Sequence, residues 1–323
     1  MSTQRKELPV LDPRTPSNVP THDNTMLRAY ARCERLYAVL HVKGWRPSIT
    51  TVVGDEVPKA RGLSFGAMTH EGLAQFYIVL KESGNLALAL QAGLTALSEF
   101  PYAASQDPDE IRTKGRAMYD LKQYVFEYKG DKQWKLLMTE TPSAIEDHEG
   151  FRYGGRMDLA VIDTEYGERL FPVDHKTTTR FTKFFFDNFK LDPQMMGYYW
   201  MAGKLTGIEP AGVIINAIVV HKKETVFARH KLLISPAHVA RWRERNIVRY
   251  ERISEQLAVD PQGDRWYEQE IWNPNFEHCV DRYGRCPMFP VCHGDPSNAA
   301  IHLNINFEPG RWDFTKIADD DEE

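Results

Sequence analysis

Apolar and polar positions along this chain follow two periods, and the switches between them mark its elements. Residues 151–163 are dense in β-branched, aromatic and apolar side chains, the composition of a strand. Thr164-Glu165-Tyr166-Gly167 supplies turn chemistry, and residues 169–176 resume as a second strand, which predicts a hairpin. Residues 24–40 instead place Met26, Leu27, Tyr30, Leu36, Tyr37 and Leu40 at helical spacing, predicting an amphipathic helix that carries Cys33. Residues 66–80, 85–100 and 110–128 read as further helices, the last two separated by Pro101 and Pro108. Residues 134–140 read as a strand ended by Glu140-Thr141-Pro142. A loop over 177–190 leads to Asp192-Pro193, an N-cap followed by proline at the first helical position. Strands over 212–221 and 225–234 and a helix from Ser235-Pro236 to about Val259 complete the order, that of an α/β fold.

The predicted hairpin carries charges that an ordinary core would reject. In a strand, side chains alternate faces, so Asp174 and Lys176 point one way and His175 the other, while the hairpin brings Asp158 alongside. Unpaired charge between segments as apolar as 159–162 and 170–173 is expensive. A divalent cation held by oxygen ligands resolves the conflict, with the lysine beside the water that the cation activates.

Four cysteines are present, Cys33, Cys279, Cys286 and Cys292, the last three as C-x6-C-x5-C. Two disulfides or four unrelated thiols are the plain readings. Thiols clustered among glycine and proline in a chain that otherwise avoids cysteine favour a metal site, and four thiolates suit either Zn²⁺ or a [4Fe–4S] cluster.

Gly155-x-x-Asp158, Asp174-x-Lys176 and Gln194-x-x-x-Tyr198, in that order, resemble the signature of the PD-(D/E)XK nucleases, in their RecB-like branch. The resemblance implies a restriction-endonuclease-like core, αβββαβ around a mixed central sheet, with additional helices. It implies Mg²⁺ or Mn²⁺ held by Asp158, Asp174 and the His175 backbone carbonyl, Lys176 orienting or deprotonating water, and Gln194 and Tyr198 holding the substrate strand. The segment Phe65-Gly66-Ala67-Met68-Thr69-His70-Glu71 is similar to the helix whose histidine adds a ligand in that branch, and an imidazole shifts preference toward Mn²⁺. Glu140 ranks below these as a ligand. One cysteine ahead of the nuclease motifs and three behind them is similar to the iron–sulfur nucleases, which include AddB, the CRISPR-associated RecB-like exonucleases and the exonuclease V proteins. Many of these have C-x2-C-x5-C; here Tyr283 stands at the middle cysteine, and His278 or His293 is a substitute ligand. Such a cluster would staple Cys33 to Cys279 around a loop of 246 residues.

Composition then limits the partners. Of 323 residues 42% are hydrophobic and 26% charged, and the net charge of −5 argues against coating nucleic acid by bulk charge. Locally, residues 221–252 hold nine Lys/Arg against three Glu, a +6 stretch that is either an electrostatic track or a solvated helix. Arg180 and Lys183, in the loop with Phe184-Phe185-Phe186, are candidate DNA contacts, although the phenylalanines also suit a core. The N-terminus lacks an apolar signal core and the run 211–220 is too short to span a bilayer, which points to the cytoplasm. The expected organisation is a flexible arm (1–20), a helical region (21–130), a nuclease core (131–260), a cluster segment (261–300) and an acidic tail (301–323). The expected function is a metal-dependent DNA exonuclease, acting on single strands or duplex ends with recombination, repair or replication proteins. A structure-specific endonuclease and a non-catalytic DNA-end-binding module, its cysteines holding a cluster or zinc, are the alternatives. No P-loop is present to make it a helicase.

Overall fold

The computed structural model describes residues 10–11, 21–48, 57–103, 105, 107–148, 151–281 and 284–315. Most of the arm, Tyr283 and the acids at 319–323 lie outside the described residues. The N-terminal part holds β1 (Val10–Leu11), β2 (Thr21–His22), α1 (Asn24–Arg32), α2 (Glu34–Tyr37) and β3 (Trp45–Pro47). Three helices follow, α3 (Val57–Ser83), α4 (Leu86–Glu99) and α5 (Lys114–Tyr128). The central unit is β4 (Trp134–His148), β5 (Phe151–Asp163), β6 (Arg169–Thr178), α6 (Pro193–Thr206), β7 (Gly212–Val220), β8 (Thr225–Leu233) and α7 (Pro236–Val259). The C-terminal part holds β9 (Val280–Asp281), β10 (Gly284–Arg285), α8 (Phe289–His293), α9 (Ala299–Asn306) and β11 (Phe307–Pro309).

The main sheet runs β1-β4-β5-β6-β7-β8, with β2 parallel beside β5. The hairpins β4–β5, β5–β6 and β7–β8 are antiparallel, and α6 provides the crossover that makes β6 and β7 parallel. The fold is thus α/β with a mixed sheet, as its element order requires. Every residue of β7 is buried, because helices cover both faces of the sheet there. Leu73, Phe76, Leu97 and Leu121 from α3–α5 pack with Val161 and Ile218 on one side. Met195, Trp200, Met201 and Trp242 from α6 and α7 pack with Tyr153 and Ile215 on the other. A third cluster ties α1 and α2 to the C-terminal part through Tyr37, Trp272, Met288 and Leu303.

Several expected boundaries change: the helix expected over 66–80 spans Val57–Ser83, and the tail expected from 301 opens with α9 and β11, whose Leu303 and Phe307 are buried in the third cluster. The helix over 24–40 is broken at Cys33, whose backbone is extended (φ −168°, ψ 122°), and after α2 the chain widens into a π turn at Ala38–Val42. The strand expected to stop at Glu140-Thr141-Pro142 continues to His148, with Pro142 opposite Arg156. Proline is tolerated there because the far side of β4 is paired, among the described residues, only where β1 meets Ala144 and Ile145. The helix expected from 110 begins at Lys114, where the Thr113 hydroxyl accepts the Arg116 amide (3.1 Å).

Candidate metal centre

The β5–β6 ladder ends at the pair Leu159↔Val173, while β6 stays paired with β7 as far as Thr178. Asp158 and Asp174 are the next residues on either side, so both stand where the strands part. Asp158 Oδ2 accepts the His175 amide (2.6 Å), taking the place of the lost ladder bond. Amide and carbonyl of one strand residue emerge on the same side, so the His175 carbonyl also turns toward β5. His70 reaches the gap from α3, its Nδ1 3.4 Å from Asp158 Oδ2. Glu140 arrives from β4, between the pairs Thr139↔Leu159 and Thr141↔Met157, at φ +41°, a left-handed conformation unusual for glutamate. His70, Glu140 and Asp158 each offer a ligand atom within 4.8 Å of the others.

Asp174 turns to Lys176, whose Nζ lies 2.9 Å from Oδ1 and 2.7 Å from Oδ2. The same ammonium is 3.5 Å from Gln194 Oε1. Asp192 caps α6 by accepting the Gln194 amide (2.8 Å), which puts Gln194 and Tyr198 on one face. Gln194 Nε2 donates to the Tyr198 hydroxyl (2.9 Å), which donates to the Arg156 carbonyl (3.1 Å). These groups line one cavity of about 610 Å³. The structure therefore gathers Asp158, Asp174, Lys176, Gln194, Tyr198, His70 and Glu140. Glu140, ranked lowest from sequence, belongs to the tightest group.

Burial and like charge set the electrostatics. Burial pushes the Asp174 carboxyl up to about 6, with Lys176 opposing and Asp158 adding to it. Burial and Asp158 push Glu140 up to about 8. Burial acts against the Asp158 carboxylate as well, but His70, His175 and Lys176 together hold it well below the usual range. His70, against its own burial, is raised to about 9 by Asp158 and Glu140. Three carboxyls and an imidazole in one buried cleft form a donor set for a hard divalent cation. The fit rests on His70, Glu140 and Asp158, whose ligand atoms lie within 4.8 Å of one another, while Asp174 Oδ2 is held by the Lys176 ammonium at 2.7 Å.

A polar network missed from sequence stands behind the site. The His175 ring faces away from Lys176, and its Nδ1 is 2.6 Å from Asn216 Nδ2. Asn216 Oδ1 accepts from Arg229 Nε (2.9 Å), which fixes the amide orientation and leaves the His175 proton on Nε2. Burial lowers His175 to about 3, so the ring is neutral. The Arg229 guanidinium pairs with Asp131 through Nη1 to Oδ1 and Nη2 to Oδ2, the latter at 3.0 Å, and lies over the rings of Tyr128 (3.3 Å) and Trp134 (4.1 Å). Tyr77 donates to Asp131 (2.5 Å), and Tyr124 accepts from Asn216 (2.9 Å) and Arg229 (2.6 Å).

Arg229 was one of nine cations in the stretch read as an electrostatic track. It is spent internally, while Lys222 pairs with Asp109 (2.6 Å) and Lys231 with Asp163 (2.9 Å). Of the α7 arginines, Arg241, Arg245 and Arg252 are exposed, while Arg243 and Arg249 are half-buried and Arg249 Nη1 donates to Asn246 Oδ1 (3.0 Å). Arg180 and Lys183 are exposed and outside the cavity lining, and Lys183 sits over Phe184 (4.8 Å). Phe184 is 59% exposed, whereas Phe185 and Phe186 pack against the core, so the phenylalanine cluster divides between the two readings.

The four cysteines are free thiols, which sets aside the disulfide reading. Cys33 Sγ accepts the Asn275 amide (3.4 Å), and Cys279 Sγ is 3.9 Å from the Asn275 carbonyl. The Cys286 amide donates to the Cys279 carbonyl (2.8 Å), and Arg35 Nη1 lies 3.9 Å from Cys292 Sγ. Burial raises the thiols of Cys279, Cys286 and Cys292, and the proximity of Cys33 raises each further. Arg32 and Arg35 are the nearby cations, and among the described residues no three of these thiols stand as close together as His70, Glu140 and Asp158 do. His293 stacks on Phe289 (5.4 Å), and the His278 carbonyl accepts from Arg32 (3.1 Å). Among the described residues no helix is long and apolar enough to cross a membrane.

No family model and no curated protein matches the chain. Among solved structures the chain is similar to the crystal structure of SSO0001, with 14% identity over 56% of this chain and 74% of that one. The TM-score is 0.26, a likeness that carries no argument about function.

Proposed function

We propose that the protein is a metal-dependent DNA exonuclease of the RecB-like PD-(D/E)XK type. The observation that carries this reading is the meeting of three carboxyls, an imidazole and an ammonium where β5 and β6 part, inside one cavity. His70, Glu140, Asp158 and Asp174, with the His175 carbonyl, are the residues that would hold Mg²⁺ or Mn²⁺. When bound, such a cation polarises water and offsets charge on the phosphodiester. Lys176, fixed between Asp174 and Gln194, orients or deprotonates the water. Gln194, in the first turn of α6, and Tyr198, one turn on, hold the substrate strand. The four cysteines staple the chain ends through a [4Fe–4S] cluster or zinc; a brown protein with broad visible absorption identifies the cluster. The test is digestion of end-labelled linear and circular DNA with Mg²⁺ or Mn²⁺. Linear substrate is degraded from its ends, circular DNA survives, and Asp174→Ala or Lys176→Ala abolishes activity with the fold intact. Undiminished cutting by either variant refutes the assignment.

A further inference from the structure

Each acid of the centre has its own cation. His70 faces Asp158 (3.4 Å), Lys176 faces Asp174 (2.7 Å), and Arg156 Nε lies 3.0 Å from Glu140 Oε2. A divalent ion bound by the acids disturbs these pairs unequally. His70 is itself a ligand. Lys176 keeps Gln194 as a neighbour. Arg156 has Glu140 as its partner among the described residues, and coordination of that carboxylate removes most of its attraction. The arginine backbone is fixed independently, because its carbonyl accepts the Tyr198 hydroxyl (3.1 Å) and its residue pairs with Pro142 on β4. Its side chain, 24% exposed, lines the catalytic cavity. A planar guanidinium with several donors suits the two non-bridging oxygens of a phosphodiester.

We propose that Arg156 is the phosphate clamp of this site, paired with Glu140 while the cation is absent and turned to a nucleic-acid phosphodiester once the cation engages Glu140. This rests on the nuclease reading, and it adds a substrate contact that the motifs do not assign. The test compares wild type, Arg156→Gln, Arg156→Lys, Glu140→Gln and Asp158→Ala. One measurement is Mn²⁺ affinity from the paramagnetic resonance of free Mn²⁺. The other is binding of a fluorescein-labelled oligothymidylate in Ca²⁺, by anisotropy across a salt series. Arg156→Gln is expected to bind Mn²⁺ as tightly as wild type or more tightly, since it removes a competing cation. It should bind the oligonucleotide about tenfold more weakly, with a salt slope shallower by about one. Arg156→Lys should keep the slope and recover part of the affinity. If Arg156→Gln instead loses Mn²⁺ affinity as Glu140→Gln does and keeps its oligonucleotide affinity, Arg156 only positions Glu140 and the proposal falls. Equal Mn²⁺ affinity in wild type and Asp158→Ala would mean that the metal centre is misassigned, which removes the reading and this inference with it.

Discussion

The Arg229–Asp131 pair offers the sharpest test of how the sheet is held against its helical layer. Asp131 is 2% exposed and the pair is bidentate, walled by Tyr124, Tyr128 and Trp134. Asp131→Asn is the clean perturbation. It keeps the side-chain shape and suits the left-handed backbone at φ +52°, but removes the charge. The guanidinium is then buried without a counter-charge, at a cost of about 3–5 kcal/mol. With an unfolding entropy of about 2.1 cal/mol/K per residue across 323 residues, 4 kcal/mol lowers Tm by about 6 °C. The assay is urea unfolding followed by near-ultraviolet circular dichroism, to which Trp134 beside the guanidinium contributes. The double variant Asp131→Asn/Arg229→Met, which carries neither charge, should lose less than the two single changes added together. A loss below about 1 kcal/mol for Asp131→Asn, the range of an exposed ion pair, would refute the reasoning. So would strict additivity in the double variant.

Other parts of the fold give independent outcomes. A Cβ at Gly197 would lie 2.1 Å from the Tyr153 hydroxyl, and Tyr153 is wedged between Trp200 and Trp242. Gly197→Ala should therefore cost about 1–3 kcal/mol in a thermal melt and weaken activity by moving Gln194 and Tyr198 with α6. His41, both ring nitrogens buried without hydrogen bonds, is lowered by burial to about 4, so it is neutral when folded and gains a proton on unfolding near pH 6. Its contribution is complete above pH 6.5 and is lost as pH falls through about 4, at most about 3 kcal/mol. His41→Leu should flatten that part of the urea-midpoint curve, and an unchanged pH profile would contradict it. Cys286→Ser should lower bound iron or zinc, read by elemental analysis, while far-ultraviolet circular dichroism keeps the sheet and helix signal; full metal content would separate Cys286 from the site.

The residues legible in the sequence are those whose placement depends on near neighbours. Asp174 and Lys176 share a face because they are two apart in a strand, and Gln194 and Tyr198 share one because Asp192-Pro193 starts a helix just before them. Even Asp158 needs only a hairpin to reach Asp174. Glu140 and Arg229 are hard to rank from sequence for the opposite reason. Pro142 was a sound local signal for a strand end, yet β4 continues, and the left-handed turn at Glu140 directs a carboxylate toward Asp158 across the sheet. Arg229 looked like one more cation in a basic stretch; only Asp131, 98 residues earlier, makes its burial tolerable. The two cases share a physical cause. A carboxylate or guanidinium has no preferred local environment until a distant partner fixes its charge balance, so the short-range pattern cannot rank it. The same logic ties the hidden network to the centre. Arg229 fixes Asn216, Asn216 fixes the His175 ring, and the His175 amide holds Asp158 at the point where the strands separate. The geometry at the mouth of the cleft thus depends on a charge pair between β8 and the turn that joins α5 to β4.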